Sequence, residues 1–163
     1  MTRSLVCAGF LVAALTALPV HAQGKIEPGE WEQVMTMTAP GMPGGSMKRT
    51  MRQCMTSADV AIFGDREQWA QAIAEGAGES NCQLIKVEQD GDAMVVRLAC
   101  KDDMRMMMRH EFHGTTGTID AETFVGDTLM STSHVESKRV AATCSDESIA
   151  QWKQQNPGKP FVP

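Results

Sequence analysis

The sequence predicts a mostly β (α+β) protein, an antiparallel curved sheet or partly closed barrel of seven or eight short strands with a helical insertion near residues 57–76. Short apolar and β-branched segments recur between clusters of turn residues, as in antiparallel β proteins. The insertion, in contrast, has two helix-cap signals and apolar residues at helical spacing. Four cysteines follow the N-terminal segment, an even number that suits a disulfide-bonded domain outside the cytosol.

The N-terminal segment has the three parts of a secretory signal peptide. Arg3 supplies a positive charge ahead of an almost wholly apolar run, residues 5–18. Val20 and Ala22 are small residues at the two positions that a signal peptidase reads. A bilayer core of ~30 Å needs ~20 apolar residues, so the run is too short to span it. The sequence therefore predicts a cleaved signal peptide over residues 1–22 and a periplasmic or secreted mature protein without a membrane span.

The mature chain is long enough for one domain with a buried core. We expect a single disulfide-bonded β-rich domain over residues 23–144, followed by a short helix and a loose, Pro-rich tail over residues 145–163. The chain has 15 basic and 20 acidic side chains. An acidic domain without a basic stripe is a poor binder of nucleic acid, because phosphate neutralisation supplies most of that affinity. The same balance does not favour docking on an anionic membrane surface.

Two strands joined by a Pro- and Gly-rich loop are predicted first. The first strand alternates apolar with mainly polar residues from Trp31 onwards, which gives it one apolar side. Two short helices follow, each with a cap signal, and Gly76 can close the second in a left-handed conformation. In chain order, these elements are a strand at 31–38, a loop at 39–45, a strand at 47–55 and the helical residues 57–76.

A central hairpin is predicted between Cys82 and Cys100, where two apolar, β-branched arms flank an Asp-Gly-Asp sequence at residues 90–92. If those three residues form the loop, Val87 faces Val95 and the two cysteines face each other. Directly opposed residues have Cβ atoms ~4.5–5.5 Å apart, close to the spacing of a disulfide. A loop of two residues would shift this register by one and separate the cysteines.

The second half of the chain continues as strands separated by turns and ends with a helix. The helix is predicted from apolar residues at helical spacing and is followed by Pro and Gly residues that stop it. The predicted segments are strands at 104–113, 118–120, 122–125, 127–136 and 138–144, a glycine-bearing turn or continuation at 114–117 and a helix at 145–155.

The cysteines are interpreted as two structural disulfides. The hairpin register favours a Cys82–Cys100 bridge, which leaves Cys54 and Cys144 to tie the first third of the domain to its end. The competing interpretation is a zinc site, which needs a C-x-x-C pair or a matching histidine pair. The sequence has neither pattern.

Several motifs occur along the chain in a fixed order: Pro28-Gly29-Glu30-Trp31-Glu32, Met-Pro-Gly residues, Arg52-Gln53-Cys54-Met55-Thr56, the Cys82…Cys100 hairpin, a Gly- and Thr-rich strand and Arg139…Cys144. Together they resemble small exported bacterial proteins catalogued as domain of unknown function 3617. The resemblance covers about residues 26–144 and implies an exported, disulfide-bonded, β-rich domain. It implies no catalytic residue. The helical segment and the longer tail depart from the family pattern.

A methionine-rich strand is the strongest candidate for a metal site. Its alternate residues project from one face, and thioether sulfur and imidazole are ligands that suit Cu(I). The methionines of the first hairpin, Met35, Met37, Met42 and Met47, could add ligands. The simpler interpretation, which we favour, is that the methionines fill the core, as this residue often does. The four copper candidates are Met104, Met106, Met108 and His110.

The histidines give no enzyme signature. His110 and His113 form an H-x-x-H pair, but on a strand these positions face opposite ways. His134 follows Ser133, and adjacent strand residues also face opposite ways. A G-x-S-x-G elbow is absent from the sequence. We therefore expect no catalytic residue.

The sequence as a whole predicts an exported domain that is not an enzyme and that binds a small ligand, a lipid or an envelope protein. A ligand binder predicts an apolar cavity of some hundreds of cubic ångströms, roughly the usual size of such sites. An interaction module predicts a filled core and an exposed apolar patch. One alternative is a periplasmic copper(I)-binding protein, which predicts at least three converging sulfur or nitrogen ligands. The other is a low-activity hydrolase, which needs a histidine in hydrogen-bond reach of a hydroxyl. We expect no cofactor, and copper is the one alternative.

Overall fold

Seven strands of alternating side chains form a single antiparallel sheet with three helices in the computed structural model, which describes residues 26–162. The strand order is β2-β1-β7-β6-β5-β4-β3, so β2 and β3 lie at opposite edges. The predicted signal peptide lies outside the described residues. The strands are β1 (Gly29–Thr38), β2 (Ser46–Met55), β3 (Cys82–Asp90), β4 (Ala93–Cys100), β5 (Met104–His113), β6 (Thr116–Val125) and β7 (Thr128–Ala141); the helices are α1 (Ser57–Gly64), α2 (Arg66–Glu79) and α3 (Asp146–Gln155).

The predicted antiparallel, mostly β fold with a helical part is confirmed, and the sheet is open rather than closed into a barrel. Two of its strands are longer than predicted. The pieces at 118–120 and 122–125 belong to β6, and those at 127–136 and 138–144 lie largely within β7. Within each of these two strands, no Gly or Pro lies between the two predicted pieces, so nothing interrupts the pairing with the neighbouring strand there.

The helical insertion is confirmed, and side chains cap both of its helices. Thr56 and Asp59 form a reciprocal capping box: the Thr56 N–H donates to Asp59 at 2.8 Å, and the Asp59 N–H donates to Thr56 Oγ1 at 3.2 Å. Asp65 accepts from the backbone N–H groups of Gln68 and Glu67 at 3.0 and 2.9 Å. These hydrogen bonds outweigh desolvation and lower the pKa of the Asp65 carboxyl.

The central hairpin differs from its predicted register near the turn. Asp90 pairs with Ala93, so the loop has two residues, and Val87 faces Val96 rather than Val95. A register shift between Leu84 and Lys86 then restores the alignment. An extra residue in one strand of an antiparallel pair is a β-bulge, and it moves all later pairs by one position. The two cysteines of the hairpin therefore face each other as predicted, but for a different reason.

Both predicted disulfides are present, Cys82–Cys100 and Cys54–Cys144. The second joins β2 to the segment before α3. Buried Glu30 accepts hydrogen bonds from Ser145 and Ser148 at 3.0–3.1 Å, which fixes the start of α3.

The C-terminal segment packs on the domain, in contrast to the loose tail that was expected. Trp152 of α3 is buried and donates from Nε1 to Asp59 at 3.2 Å. The Phe161 ring packs edge-on against this indole, with centroids 5.4 Å apart. Trp152 therefore links α3 both to α1 and to the C-terminal residues.

Candidate functional site

The sheet has two faces of different chemistry. Directly opposed residues share a face, and successive residues along a strand alternate between faces. Phe63 of α1 packs against Phe112, and Trp69 of α2 packs against His110, so the even-numbered residues of β5 point towards the helices. We call this side the helix face and the other side the outer face.

The outer face is charged and solvated. Its ion pairs include Arg52 with Glu32 at 3.0 Å and Arg109 with Asp90 at 2.5 Å. These pairs are exposed, and such pairs contribute little to stability. An open depression of about 370 Å³ on this face is lined mainly by polar residues, including Glu111, His113, Thr116, Thr118 and Glu136. Its lining residues are polar side chains and one glycine, whereas the ligand-cavity prediction called for an enclosed, mainly apolar cavity.

Two histidines of the outer face are paired with carboxylates rather than hydroxyls. His134 Nδ1 lies 2.6 Å from Asp120, and His113 Nε2 lies 3.0 Å from Glu111. The hydrogen bond with Asp120, opposed by slight desolvation, raises the pKa of His134. Neither contact places the imidazole on a serine or threonine, which is the contact that a Ser–His hydrolase needs.

The predicted copper residues share the helix face, but they do not converge. Met104 and His110 are six residues apart on β5, which is ~20 Å at ~3.3 Å per residue. One ion cannot contact both. The hairpin β1–β2 does not neighbour β5 either, since β7 and β6 lie between them. The methionines of that hairpin, at ~4.8 Å per strand, are ~14 Å or more away.

His110 is the most unusual polar residue of the helix face. Both ring nitrogens are shielded from solvent and have no hydrogen-bond partner within residues 26–162. The Trp69 ring lies edge-on to the imidazole with centroids 5.0 Å apart. Burial lowers the pKa of His110 to about 4, so the ring is neutral at pH 7. Met94 of β4 is its direct cross-strand partner, and Met108 is two residues away on the same face.

A trough runs along the middle of the helix face. One cross-strand row reads Met37–Ser133–Ala121–Met108 across β1, β7, β6 and β5, with two large side chains flanking two small ones. The next row continues it with Ser131, Thr123 and Met106. All seven side chains keep partial solvent exposure, and Met106 and Met108 at the β5 side also pack against the core cluster that contains Trp69 and Val96. We call these seven residues the methionine trough.

The trough is bounded at one end and has a cation nearby. At that end the adjacent row has the larger, β-branched side chains of Val135 and Ile119, between Met35 and His110. Arg49 of β2 opposes Met35 and therefore also projects from the helix face. It is exposed and takes part in no ion pair or side-chain hydrogen bond within residues 26–162. The helix face thus combines a floor of small side chains, flanked by methionines, with a positive charge that is unpaired within residues 26–162.

The fold and its cross-links define a small disulfide-bonded antiparallel β domain with helices on one face. The chain belongs to the family whose model is described as "Protein of unknown function (DUF3617)", which matches residues 26–148. No curated protein and no solved structure matches the chain. In the described part of the chain, no helix has the length and apolarity needed to cross a membrane.

Sequence reasoning located the methionine strand but missed the residues that surround it. Met94 and the small residues of the trough lie on other strands, and register alone brings them beside β5. The alternation within each strand was readable, whereas the order β1-β7-β6-β5 was not. Groups of three or more His, Cys, Asp or Glu side chains able to hold a metal are absent from residues 26–162.

Proposed function

We propose that this chain is an exported, non-enzymatic domain that binds an anionic amphiphile, an apolar chain with a carboxylate or phosphate head, in the methionine trough. The observation that carries the proposal is the large–small–small–large row from Met37 to Met108. Two flexible thioether side chains flank a floor of Ser133 and Ala121, and the row keeps solvent exposure. Methionine adapts its shape to apolar guests of varied form, which suits such a surface.

Arg49 supports an anionic head group over a neutral one. It stands on the helix face, beyond the β1 side of the trough, without a carboxylate partner among the described residues. An unpaired guanidinium is a bidentate donor for carboxylate or phosphate. The mature protein is acidic overall, so this recognition depends on one local cation and not on the field of the whole molecule.

Export is the second part of the proposal. It is supported by the signal-like residues 1–22 and by two disulfides, which persist in oxidising compartments. Mass spectrometry of protein from an envelope fraction should give a chain that begins at Gln23 with no free thiols. A chain that retains Met1, or that has four free thiols after Gln23, would contradict export.

Binding is tested with dodecyl phosphate below its micelle concentration, by calorimetric titration of the oxidised mature protein. Each buried CH₂ contributes ~0.8 kcal/mol, so octyl phosphate should bind at least about tenfold more weakly. Ser133→Phe fills the trough and should abolish binding. Thr132→Phe places the same ring on the outer face of the same strand and should leave binding unchanged. Equal affinities for the two variants would refute the site.

The head group is tested with a neutral amphiphile of equal chain length, dodecyl maltoside. Arg49→Gln should weaken dodecyl phosphate binding by about tenfold, ~1.4 kcal/mol, and leave dodecyl maltoside unaffected. Lys48→Gln is the matched control, because Lys48 opposes Thr36 on the outer face. Equal effects of the two substitutions would show that general charge, and not Arg49, attracts the head group.

A further inference from the structure

Met94, Met108 and His110 are neighbours on the helix face, where the two methionines pack against the core cluster that contains Trp69 and Val96. Met94 and His110 are directly opposed on β4 and β5, so their Cβ atoms are ~4.5–5.5 Å apart. Met108 is two residues from His110 on the same face, ~6.6 Å along the strand. These separations allow two thioether sulfurs and one imidazole nitrogen to reach a common point.

The unpaired state of His110 indicates that this point has a ligand. An imidazole nitrogen that is shielded from water and lacks a partner carries an uncompensated desolvation cost of ~1–3 kcal/mol. Native proteins rarely leave such groups without a role. For a neutral imidazole that simply packs in a core, one hydrogen-bonded nitrogen would be sufficient. Here neither ring nitrogen has a partner among the described residues.

The surroundings select the class of ligand. The cross-strand neighbours of this cluster are apolar: Ile119 opposes His110 on β6, and Val96 opposes Met108 on β4. Trp69 covers the imidazole from α2. Thioether and imidazole ligands without a carboxylate favour a soft, low-charge cation and disfavour Mg²⁺, Ca²⁺ and Mn²⁺.

We propose that Met94, Met108 and His110 form a three-coordinate Cu(I) site covered by the indole of Trp69. This site goes beyond amphiphile binding and does not depend on it. It differs from a site built along β5 alone, since Met94 comes from the neighbouring strand and Met104 is too distant. The π face of an indole attracts a cation that lies over it within ~6 Å of the ring centroid, and a tryptophan beside the site also gives a fluorescence signal.

The test uses Ag(I), an air-stable surrogate that spares the disulfides from reductants, followed by anaerobic Cu(I) in competition with a chromophoric chelator. The oxidised mature protein should bind one ion per chain and quench tryptophan fluorescence. Met94→Leu should weaken binding at least about tenfold, or ~1.4 kcal/mol. Met104→Leu lies on the same strand face as His110 but outside ligand reach, and it should bind as the unmodified protein does.

Two further variants keep the proposal testable if Met94→Leu does not fold. Met108→Leu conserves volume and should weaken binding like Met94→Leu, and His110→Phe should abolish it. Circular dichroism verifies that each variant retains its strands. A protein that does not compete with the chelator, or a Met104→Leu variant that loses as much affinity as Met94→Leu, would overturn the site. Met94 lies outside the methionine trough, so dodecyl phosphate titration of Met94→Leu separates this result from the proposed amphiphile binding.

Discussion

The two disulfides should differ in their contribution to stability, because they close loops of different size. Cys54–Cys144 spans 90 residues and Cys82–Cys100 spans 18. The chain-entropy model gives ~4.6 kcal/mol for the long loop and ~3.2 kcal/mol for the short one at 25 °C. Removal of the long bridge should therefore cost ~1.4 kcal/mol more than removal of the short one.

The comparison uses two double variants, Cys54→Ala/Cys144→Ala and Cys82→Ala/Cys100→Ala, each with its other bridge intact. Cys54 and Cys82 are similarly buried, at 6% and 8% exposure, although Cys82 and Cys100 also pack in the main core cluster. The long bridge also holds the segment that precedes α3, so its removal should loosen that helix and increase the difference.

Urea unfolding followed by tryptophan fluorescence measures the free energy of unfolding of each variant. Mass spectrometry after thiol blocking confirms that the remaining bridge is formed. A loss from the short bridge that equals or exceeds the loss from the long bridge would refute the loop-entropy reasoning. It would indicate that residual structure in the unfolded chain, or packing around β3 and β4, decides the contribution.

Three other predictions address buried groups. Burial lowers the pKa of His110 from 6.5 to about 4, so the unfolded state binds more protons than the folded state between these two pH values. The metal-free protein should therefore lose about 3 kcal/mol of its free energy of unfolding as pH falls through this range. Urea titrations at several pH values should show that His110→Leu lacks this loss. Glu30→Ala removes the acceptor of the α3 hydrogen bonds and should cost ~1–3 kcal/mol, with a red shift in fluorescence as the α3 tryptophan is exposed. Gly117→Ala places a methyl against the Phe112 ring and should cost ~1–3 kcal/mol of unfolding free energy, whereas Gly76→Ala on the open side of α2 should stabilise the protein by ~0.5–1 kcal/mol. Three results would contradict these predictions: a pH dependence of stability in His110→Leu equal to that of the unmodified protein, a fluorescence spectrum of Glu30→Ala without a red shift, or a Gly117→Ala variant with an unchanged free energy of unfolding.

The pKa of Glu30 depends on the same α3 contacts. Burial by itself raises the pKa, but the hydrogen bonds from Ser145 and Ser148 and the charge of Arg52 outweigh it, so the net direction is down. The docking of α3 should therefore be strongest above the ordinary pKa of a glutamate and should weaken as pH falls below it.

Local signals in the sequence were sufficient to identify the strands and helices, but they were not sufficient to identify which strands lie next to each other in the sheet. Alternation identified β1, β2 and β5, and the capping residues Thr56 and Asp65 marked the starts of both helices of the insertion. The hairpin register required knowledge of a bulge near Leu84, which no local pattern announced. The copper hypothesis likewise took all its main ligands from β5, because sequence spacing shows which residues are close along one strand and not which residues are close across a sheet.

By itself, the sequence determined the strand and helix types and the methionine-rich side of β5, since each of these depends on the period of side chains along a short segment. The tertiary structure decided the strand order, which places β7 and β6 between the first hairpin and β5. That order creates the methionine trough and sets Met94 opposite His110. The physical reason is that hydrogen-bond pairing between strands fixes lateral neighbours, and residues far apart in the chain become neighbours only when that pairing is made.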